Sequence, residues 1–146
     1  MSLANLPEIF LDTDVAFDII SKREPFYNDS IKLLEAHLQG SYVLLTSESS
    51  VANLIYLSSD IHKIHKATER LIDFISSMSI ICGGKSTLLQ ALKSDFKDKE
   101  DAVQYYTALN HGADYFITRN LKDYNMYSFE SLPVFSPTEF IENFKD

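Results

Sequence analysis

The sequence predicts a three-layer α/β/α fold with a central, mainly parallel sheet of four or five strands. Short apolar runs of strand length alternate with longer segments whose apolar residues recur at helical spacing. Strands that are each followed by a helix favour a parallel sheet covered by helices on both faces. No linker or internal repeat interrupts the 146 residues, so we expect one single domain over 1–146.

The strands are predicted at short apolar runs bounded by polar or turn-forming residues. A run that is apolar throughout fits a strand covered on both faces, as in a sheet between two helical layers. The runs are, in chain order, Ile9–Leu11, Tyr42–Leu45, Ser79–Cys82, Tyr115–Thr118 and Pro133–Phe135.

The segments between the first strands carry the helical signals. A helix follows Asp12 and is interrupted by Pro25. A second is closed by Gly40 in a left-handed cap, and a third is capped by Ser47. A long helix is predicted from about 60 to 77, and another before residue 98. Their apolar positions are Val15, Ile19, Ile20; Ile31, Leu34, Leu38; Val51, Leu54, Ile55; Ile61, Ile64, Leu71, Ile72, Ile75; and Leu88, Leu89, Leu92.

The C-terminal third continues the alternation. Lys99-Glu100-Asp101 begin a helix that ends at His111-Gly112. A short helix is predicted near Leu121 to Tyr127. A terminal helix starts at Ser136-Pro137, where serine and proline suit the first positions.

Composition limits the classes of function. With 45% hydrophobic residues and one cysteine, the chain can bury a core without disulfides and lacks the partners of a usual zinc site, which indicates a reducing compartment. No apolar run approaches the ~18 residues of a membrane span, and the N-terminus lacks the basic head of a signal peptide, so we expect a cytoplasmic protein without membrane contact. A net charge of −8 disfavours nucleic-acid binding unless some of the acids bind metal ions.

Acids lie where a parallel α/β sheet binds ligands, beyond the carboxyl ends of its strands. Asp12 ends the first strand, Asn120 and Asp123 follow the fourth, and Asp101 lies at a helix N-terminus that can sit beside them. Asp98, three residues before Asp101, can point to the same place. Mg²⁺ and Mn²⁺ prefer such oxygen ligands and promote phosphodiester hydrolysis.

A purely structural interpretation of these acids stays open. Acids in the first turn of a helix complement its dipole, so Asp98 and Asp101 could serve only as a cap, and Asp14 could cap the helix after the first strand. Asp12 favours the ligand interpretation, because an acid directly after a buried strand is desolvated unless a charge compensates it.

Three stretches in this order resemble the PIN-domain family of metal-dependent ribonucleases, including VapC-like toxins. They are Ile9-Phe10-Leu11-Asp12-Thr13-Asp14-Val15, Asp98-Lys99-Glu100-Asp101-Ala102 and Ile117-Thr118-Arg119-Asn120-Leu121-Lys122-Asp123-Tyr124, with Ser136-Pro137-Thr138-Glu139-Phe140 at the end. The resemblance implies Mg²⁺ or Mn²⁺ bound by acids, hydrolysis of single-stranded RNA, a homodimer and a small antitoxin protein as partner.

The resemblance also assigns residues. Asp12, Asp101, Asp123 and Asp98 match the catalytic acids, and the same four with Asn120 are the expected metal ligands. Two amides depart from the family pattern, since Asn53 stands where the family has a glutamate and Asn120 where it usually has an acid. Contacts with the substrate are expected from Asn53, Thr118 and Arg119. A binding module with an incomplete site is therefore the alternative to a nuclease.

The remaining sequence features are weaker indications of function. Gly83-Gly84-Lys85-Ser86-Thr87 lacks the first glycine of a phosphate-binding P-loop, because Ser79 stands there. His62 and His65 are flanked by lysines, as on a solvated face. Basic residues among the acids could hold RNA phosphates or be ordinary surface charge; these are Lys97, Lys99, Arg119 and Lys122. Three tyrosines could stack on bases or pack in the core; they are Tyr105, Tyr124 and Tyr127.

Overall fold

A five-stranded sheet forms the centre of the protein, whose residues 6–144 are described by a computed structural model. The strands are β1 (Glu8–Leu11), β2 (Val43–Ser47), β3 (Ser79–Ile81), β4 (Tyr115–Ile117) and β5 (Val134–Phe135). Their order is β3-β2-β1-β4-β5 and all neighbours are parallel. In register, Ile9 of the central strand lies between Leu44 and Tyr115. The predicted parallel sheet is thus confirmed.

Helices cover both faces of the sheet. They are α1 (Thr13–Ser21), α2 (Tyr27–Leu38), α3 (Glu48–Ile55), α4 (Ala67–Ser77), α5 (Gly84–Lys93), α6 (Lys99–His111), α7 (Leu121–Asn125) and α8 (Pro137–Asn143). Alternate residues of β1 point to opposite sides, because Ile9 and Leu11 join the apolar cluster under α1 to α4 and α8 while Phe10 joins the cluster under α5 to α7. The two clusters make the three layers that the alternation predicts.

The long helix expected from 60 to 77 is wrong in its first half. Tyr56–Ile61 instead continue α3 as a π-helical segment, and α4 starts only at Ala67. Lys63 and Lys66 between them have φ values of 47° and 56°, a left-handed conformation that no α-helix contains. Because the chain turns there, the helical register is lost, and two members of the expected buried stripe are exposed, Ile61 by 51% and Ile72 by 58%.

Helix α5 buries its small residues and exposes its leucines. Thr87 and Ala91 are buried, whereas the three leucines that predicted the helix, Leu88, Leu89 and Leu92, are between 44% and 60% exposed. Small side chains on the inner face let α5 approach α6 closely, and a Cβ on Gly83 would meet Thr107 Oγ1 at 2.8 Å. Among residues 6–144, no helix has the length and apolarity that crossing a bilayer requires.

Candidate active site

Asp12 follows the central strand and is held on both sides. Its backbone N–H donates to Ile117 O at 2.9 Å, which continues the pairing of β1 with β4. Its Oδ1 accepts from the Thr13 N–H at 2.8 Å, and its Oδ2 accepts from the Thr118 hydroxyl at 2.7 Å. The side chain is 3% exposed. These contacts fix the carboxylate at the carboxyl edge of the sheet.

The surroundings of Asp12 disfavour its negative charge. Burial, reinforced by the neighbouring carboxylate of Asp14, raises the pKa of Asp12 to about 7, against smaller lowering effects of Thr118, Thr13 and Gln104. The hydrogen bonds therefore orient the carboxylate but do not compensate its charge. A cation at this position would do so.

Asp101 brings a second carboxylate to the same place from the first turn of α6. Burial, reinforced by the carboxylates of Asp12, Asp98 and Asp123 and opposed by Tyr124, raises the pKa of Asp101 to about 7. A carboxylate affects the pKa of another only when the two lie close together. The fold therefore brings acids from three distant segments of the chain near Asp101, and their role as a common metal site stays a prediction.

Asp98 has an observed structural role in addition to its expected one. It is the N-cap of α6, and its Oδ1 accepts from the Asp101 N–H at 3.1 Å. The cap is what directs Asp101 in the first turn toward the site. Its role as a metal ligand stays a prediction, as does that of the exposed Asp123.

A cleft of about 640 Å³ opens beside these acids. Three carboxylates and two lysines line it together with apolar side chains. The lining residues are Phe96, Lys97, Asp98, Asp101, Lys122, Asp123, Met126 and Tyr127. Lysines at the edge of an acidic cleft suit a polyanion whose reacting phosphate is held by cations bound to the acids.

Asp14 and Asn120 contact each other next to Asp12. The Nδ2 of Asn120 donates to Asp14 Oδ2 at 3.4 Å. The buried Oδ1 of Asp14 has no hydrogen-bond partner in the part of the chain that the structure describes. Burial raises the pKa of Asp14. The charge of Asp18 also raises this pKa, whereas the charge of Arg119 lowers it. Asp14 thus contributes a second carboxylate beside Asp12, whose charge Arg119 compensates only in part.

The donor atoms of this site suit a hard divalent cation. They are carboxylate and amide oxygens, and the buried oxygen of Asp14 lacks any partner within residues 6–144. Within the same residues, no three His, Cys, Asp or Glu side chains are grouped closely enough to hold a metal ion as they stand. Mg²⁺ often takes only one or two carboxylates and completes its shell with water and phosphate. Asp12 and Asp101 are the pair that fits this pattern.

Thr118 and Arg119, two of the residues expected to contact the substrate, have different surroundings. Thr118 is fully buried, and its hydroxyl accepts from the Asn120 N–H at 3.0 Å while donating to Asp12. The Nε of Arg119 donates to Asp18 at 2.7 Å, with the guanidinium 4.1 Å from the Phe26 ring centroid. Their substrate contacts remain predictions.

Asn53 lines a smaller cleft. This cleft has a volume of about 220 Å³ and is also lined by Thr13, Ser50 and Gln104. It lies beside Asp12, because Thr13 directly follows that residue. Asn53 is therefore near the site but brings an amide where the family pattern has a charge.

Gln104 is a site residue that the sequence analysis missed. Its Oε1 accepts from the Thr13 N–H and hydroxyl, both at 2.9 Å, and from the Ser50 hydroxyl at 3.3 Å. It ties α6 to the start of α1, next to Asp12. The spacing of three residues from Asp101, which places both on one face of a helix, was the signal that could have found it.

The other sequence signals fall mostly outside the site. Tyr105 and Tyr124 are fully buried in the core, whereas the half-buried Tyr127 lines the larger cleft. His62 and His65 are exposed. Lys99 donates to Ser94 O at 2.8 Å.

Fold and site together define a class of protein, a three-layer α/β/α domain with an acidic site at the carboxyl edge of a parallel sheet. Residues 8–122 match the sequence profile of the PIN domain. The chain belongs to the PIN-domain family.

Individual relatives agree with this membership. Ribonuclease VapC1 of Aquifex aeolicus (strain VF5) is 28% identical over 143 residues, which cover 94% of this chain and 96% of that protein. The structure of VapBC from Salmonella typhimurium bound to DNA is similar with a TM-score of 0.66 at 17% identity, covering 90% of this chain and 99% of that one. VapBC2 from Rickettsia felis bound to a promoter DNA fragment gives 0.64 at 19% identity, covering 88% and 98%. At these identities the structures support the fold.

Proposed function

We propose that this protein is a metal-dependent endoribonuclease that hydrolyses phosphodiester bonds of single-stranded RNA, as the toxin of a toxin–antitoxin pair. The observation that carries the proposal is the approach of three acids to Asp101, which lines one cleft with Asp98 and Asp123 and whose pKa is raised by burial and by the carboxylates of Asp12, Asp98 and Asp123. The similarity to a ribonuclease over nearly the whole chain supports it.

Each residue has a role in the proposed reaction. Asp12 and Asp101 would hold Mg²⁺ or Mn²⁺, and Asp123, Asp98 and Asn120 would complete the site directly or through water. The bound cation would activate a water and stabilise the departing 3′ oxygen. Water attacks phosphorus, the bond from phosphorus to the 3′ oxygen breaks, and the products carry a 5′-phosphate and a 3′-hydroxyl.

The remaining polar residues prepare the site. Thr118 and the Thr13 N–H hold the Asp12 carboxylate in place, and Gln104 fixes Thr13. Lys97 and Lys122 contact phosphates beside the one that reacts, and Asn53 contacts the substrate from the smaller cleft. No side chain is required as a nucleophile.

A partner is part of the proposal. Two of the similar solved structures are of VapBC and VapBC2, each bound to DNA. By analogy, an antitoxin segment would occupy the acidic cleft and place a basic side chain near Asp12. By the same analogy, we propose that two copies of this single-domain chain form a homodimer.

The first test is RNA cleavage with Mn²⁺ by the unmodified protein and by Asp12→Asn and Asp101→Asn. Each substitution removes one carboxylate of the central pair, so we expect the cleavage rate to fall more than about 100-fold. Asp73→Asn is the control, because Asp73 is an exposed acid on α4 and should leave the rate unchanged. Full activity in both site variants would disprove the mechanism.

A binding module without catalysis is the second candidate. It is favoured by the amides Asn53 and Asn120 and by the lack of a tight group of three acids among residues 6–144. In that case the protein would bind RNA or a partner, show no cleavage, and keep its melting temperature when Mn²⁺ is added.

A further inference from the structure

A cavity of about 400 Å³ borders the acidic site and takes no part in the proposed reaction. It lies between the turn before α2, the segment after β4 and the start of α8. Pro25, Phe26 and Pro137 provide apolar ring surfaces along its wall, and Arg119 and Asp29 provide polar ones. A cavity of this volume can hold a small organic group.

The guanidinium of Arg119 is held against the ring of Phe26. Its Nε donates to Asp18 Oδ2 at 2.7 Å, and its Nη2 donates to Asp18 Oδ1 at 3.4 Å. The guanidinium carbon lies 4.1 Å from the Phe26 ring centroid. Asp18 is 0% exposed, so the group that anchors Arg119 is itself fixed within the protein. The cavity therefore has a preformed wall made of an aromatic ring and a guanidinium.

The charged groups of this wall already have partners. Arg119 is paired with Asp18, and the carboxylate of Asp29 accepts from the Thr138 hydroxyl. A phosphate entering the cavity would meet an arginine whose charge is compensated and a carboxylate of its own sign. A neutral ligand with apolar faces and a polar edge fits better. An unpaired nucleobase is such a ligand, and single-stranded RNA is commonly bound by stacking its bases on aromatic rings and guanidinium planes.

The cavity is close enough to the acids for one RNA strand to reach both. Arg119 directly follows Thr118, whose hydroxyl donates to Asp12 at 2.7 Å. It directly precedes Asn120, whose amide donates to Asp14 at 3.4 Å. Consecutive Cα atoms are about 3.8 Å apart, so the backbone of the cavity wall adjoins residues that contact the acids. A strand with one phosphate at the acids can therefore place a neighbouring base in the cavity.

We infer that this cavity is a subsite for one unpaired nucleobase of the RNA, which stacks on the wall formed by Phe26 and Arg119. The inference rests on the proposed function, which puts the reacting phosphate at the acids. The edge of the base would face the donors of Arg119 and the carboxylate of Asp29. Because the base lies beside the reacting phosphate and not on it, the subsite sets the affinity for RNA and leaves the chemical step to the acids.

Phe26→Leu tests the subsite by removing the ring while keeping an apolar side chain. We expect the affinity for a cleavage-resistant single-stranded RNA to fall about tenfold in Mn²⁺, because the stacking of one base is lost. Fluorescence anisotropy measures this loss. In cleavage assays KM should rise while kcat stays unchanged. Calorimetry without RNA should show an unchanged affinity for Mn²⁺, because the substitution removes no oxygen ligand.

Tyr56→Leu is the matched control. Tyr56 is an aromatic residue that is 53% exposed on the π-helical segment after α3, outside the cavity. The variant loses an exposed ring in the same way, and we expect its affinity for RNA to equal that of the unmodified protein.

RNA analogues that each lack one base, at successive positions around the cleaved bond, locate the stacked base. One analogue should bind the unmodified protein about tenfold more weakly than intact RNA. Phe26→Leu should weaken the binding of that analogue no further, because its stacking partner is already absent. The inference is overturned if Phe26→Leu weakens intact RNA and every analogue by the same factor. Unchanged affinity of Phe26→Leu for intact RNA also overturns it, and would leave the cavity to a protein side chain.

Photo-crosslinking supplies a test that does not depend on the folding of a variant. RNA with 5-iodouracil at the position that the analogues identify should crosslink to Phe26 of the unmodified protein, as read by mass spectrometry of its peptides. Crosslinks found only at other residues would overturn the inference. Cleavage of RNA that is insensitive to Phe26→Leu refutes the subsite alone. RNA binding that shows these effects without cleavage refutes the proposed function and leaves the subsite, whereas absence of RNA binding refutes both.

Discussion

At the scale of single residues, the main feature is a pair of acids, Asp12 and Asp101, whose pKa is raised by the fold. Burial comes first among the causes for both, and neighbouring carboxylates add to it, which raises the pKa of Asp12 and of Asp101 to about 7. An unfolded chain has ordinary acids with a pKa near 3.8. Between about pH 4 and 7 the folded protein therefore binds more protons, and its stability falls as the pH rises.

Asp101→Asn should accordingly stabilise the protein in the absence of divalent cations. The expected gain at pH 8 is about 1 kcal/mol, reduced from the full effect of the raised pKa because solvent screens this half-buried side chain. The gain should disappear near pH 4, where the unmodified Asp101 is protonated. Urea unfolding with EDTA at the two pH values measures both. A loss of stability at pH 8 that exceeds the loss at pH 4 would contradict the prediction.

The sequence predicted some of these residues and not others, for a physical reason. Asp12 could be found because an acid directly after a buried strand is a local pattern, and Asp101 because it begins a helix. The roles of Gln104 and of the half-buried Asp14 depend on contacts between residues far apart in the chain, such as the bond from Thr13 to Gln104 across 91 positions. Periodicity does not specify such contacts.

At the scale of elements, the close packing of α5 on α6 shows how far apolar spacing reaches. Three leucines predicted the helix, but they are exposed, and the small residues Thr87 and Ala91 lie inward. Apolar spacing therefore located this helix without identifying its buried face. In the segment before α4 the left-handed Lys63 and Lys66 broke the predicted helix, and neither lysine has a side chain that signals such a turn.

Gly83→Ala tests the packing of these two helices. The φ of Gly83 is −85°, which alanine adopts freely, but the new Cβ would lie 2.8 Å from Thr107 Oγ1 and from Thr87 Cγ2. Thr107 cannot easily yield, because its hydroxyl donates to Val103 O at 2.6 Å. We expect a loss of roughly 1–3 kcal/mol in the free energy of unfolding, measured by urea denaturation.

Ser86→Ala, an exposed change on the same turn, is the comparison and should alter stability by less than about 0.5 kcal/mol. If Gly83→Ala were as stable as Ser86→Ala, the tight contact between α5 and α6 would not limit the position.

At the scale of the whole molecule, fold class was the most predictable property. Alternation of apolar runs and helical segments extends along the entire chain, so errors at one helix leave the predicted layers intact. The five-stranded sheet could be predicted from this alternation alone, without knowledge of how distant strands are aligned in register. The charge of −8 was also apparent, but its consequence for RNA binding depends on where the lysines lie.

The net charge predicts a weak dependence of RNA affinity on salt. Two lysines, Lys97 and Lys122, line the acidic cleft, and two phosphate contacts to single-stranded RNA imply a roughly sevenfold loss of affinity between about 50 and 200 mM salt. Fluorescence anisotropy with a cleavage-resistant RNA analogue, in the presence of Mn²⁺, measures this loss.

Changing both lysines to alanine should reduce the salt dependence to nearly none. Lys32 and Lys93 lie exposed on α2 and α5 and provide the charge-matched control, for which the original dependence should persist. A dependence as steep after removal of Lys97 and Lys122 as before would place the RNA elsewhere.

The position of β1 between β2 and β4 has one more consequence. Asp12 is anchored by a strand with neighbours on both sides, whereas Asp123 and Tyr124 are carried by a helix of five residues at the periphery. Sequence divergence can therefore remodel the part of the site on α7 while Asp12 keeps its position. Related proteins that share the central acid are free to acquire different RNA preferences through the short segment between β4 and β5.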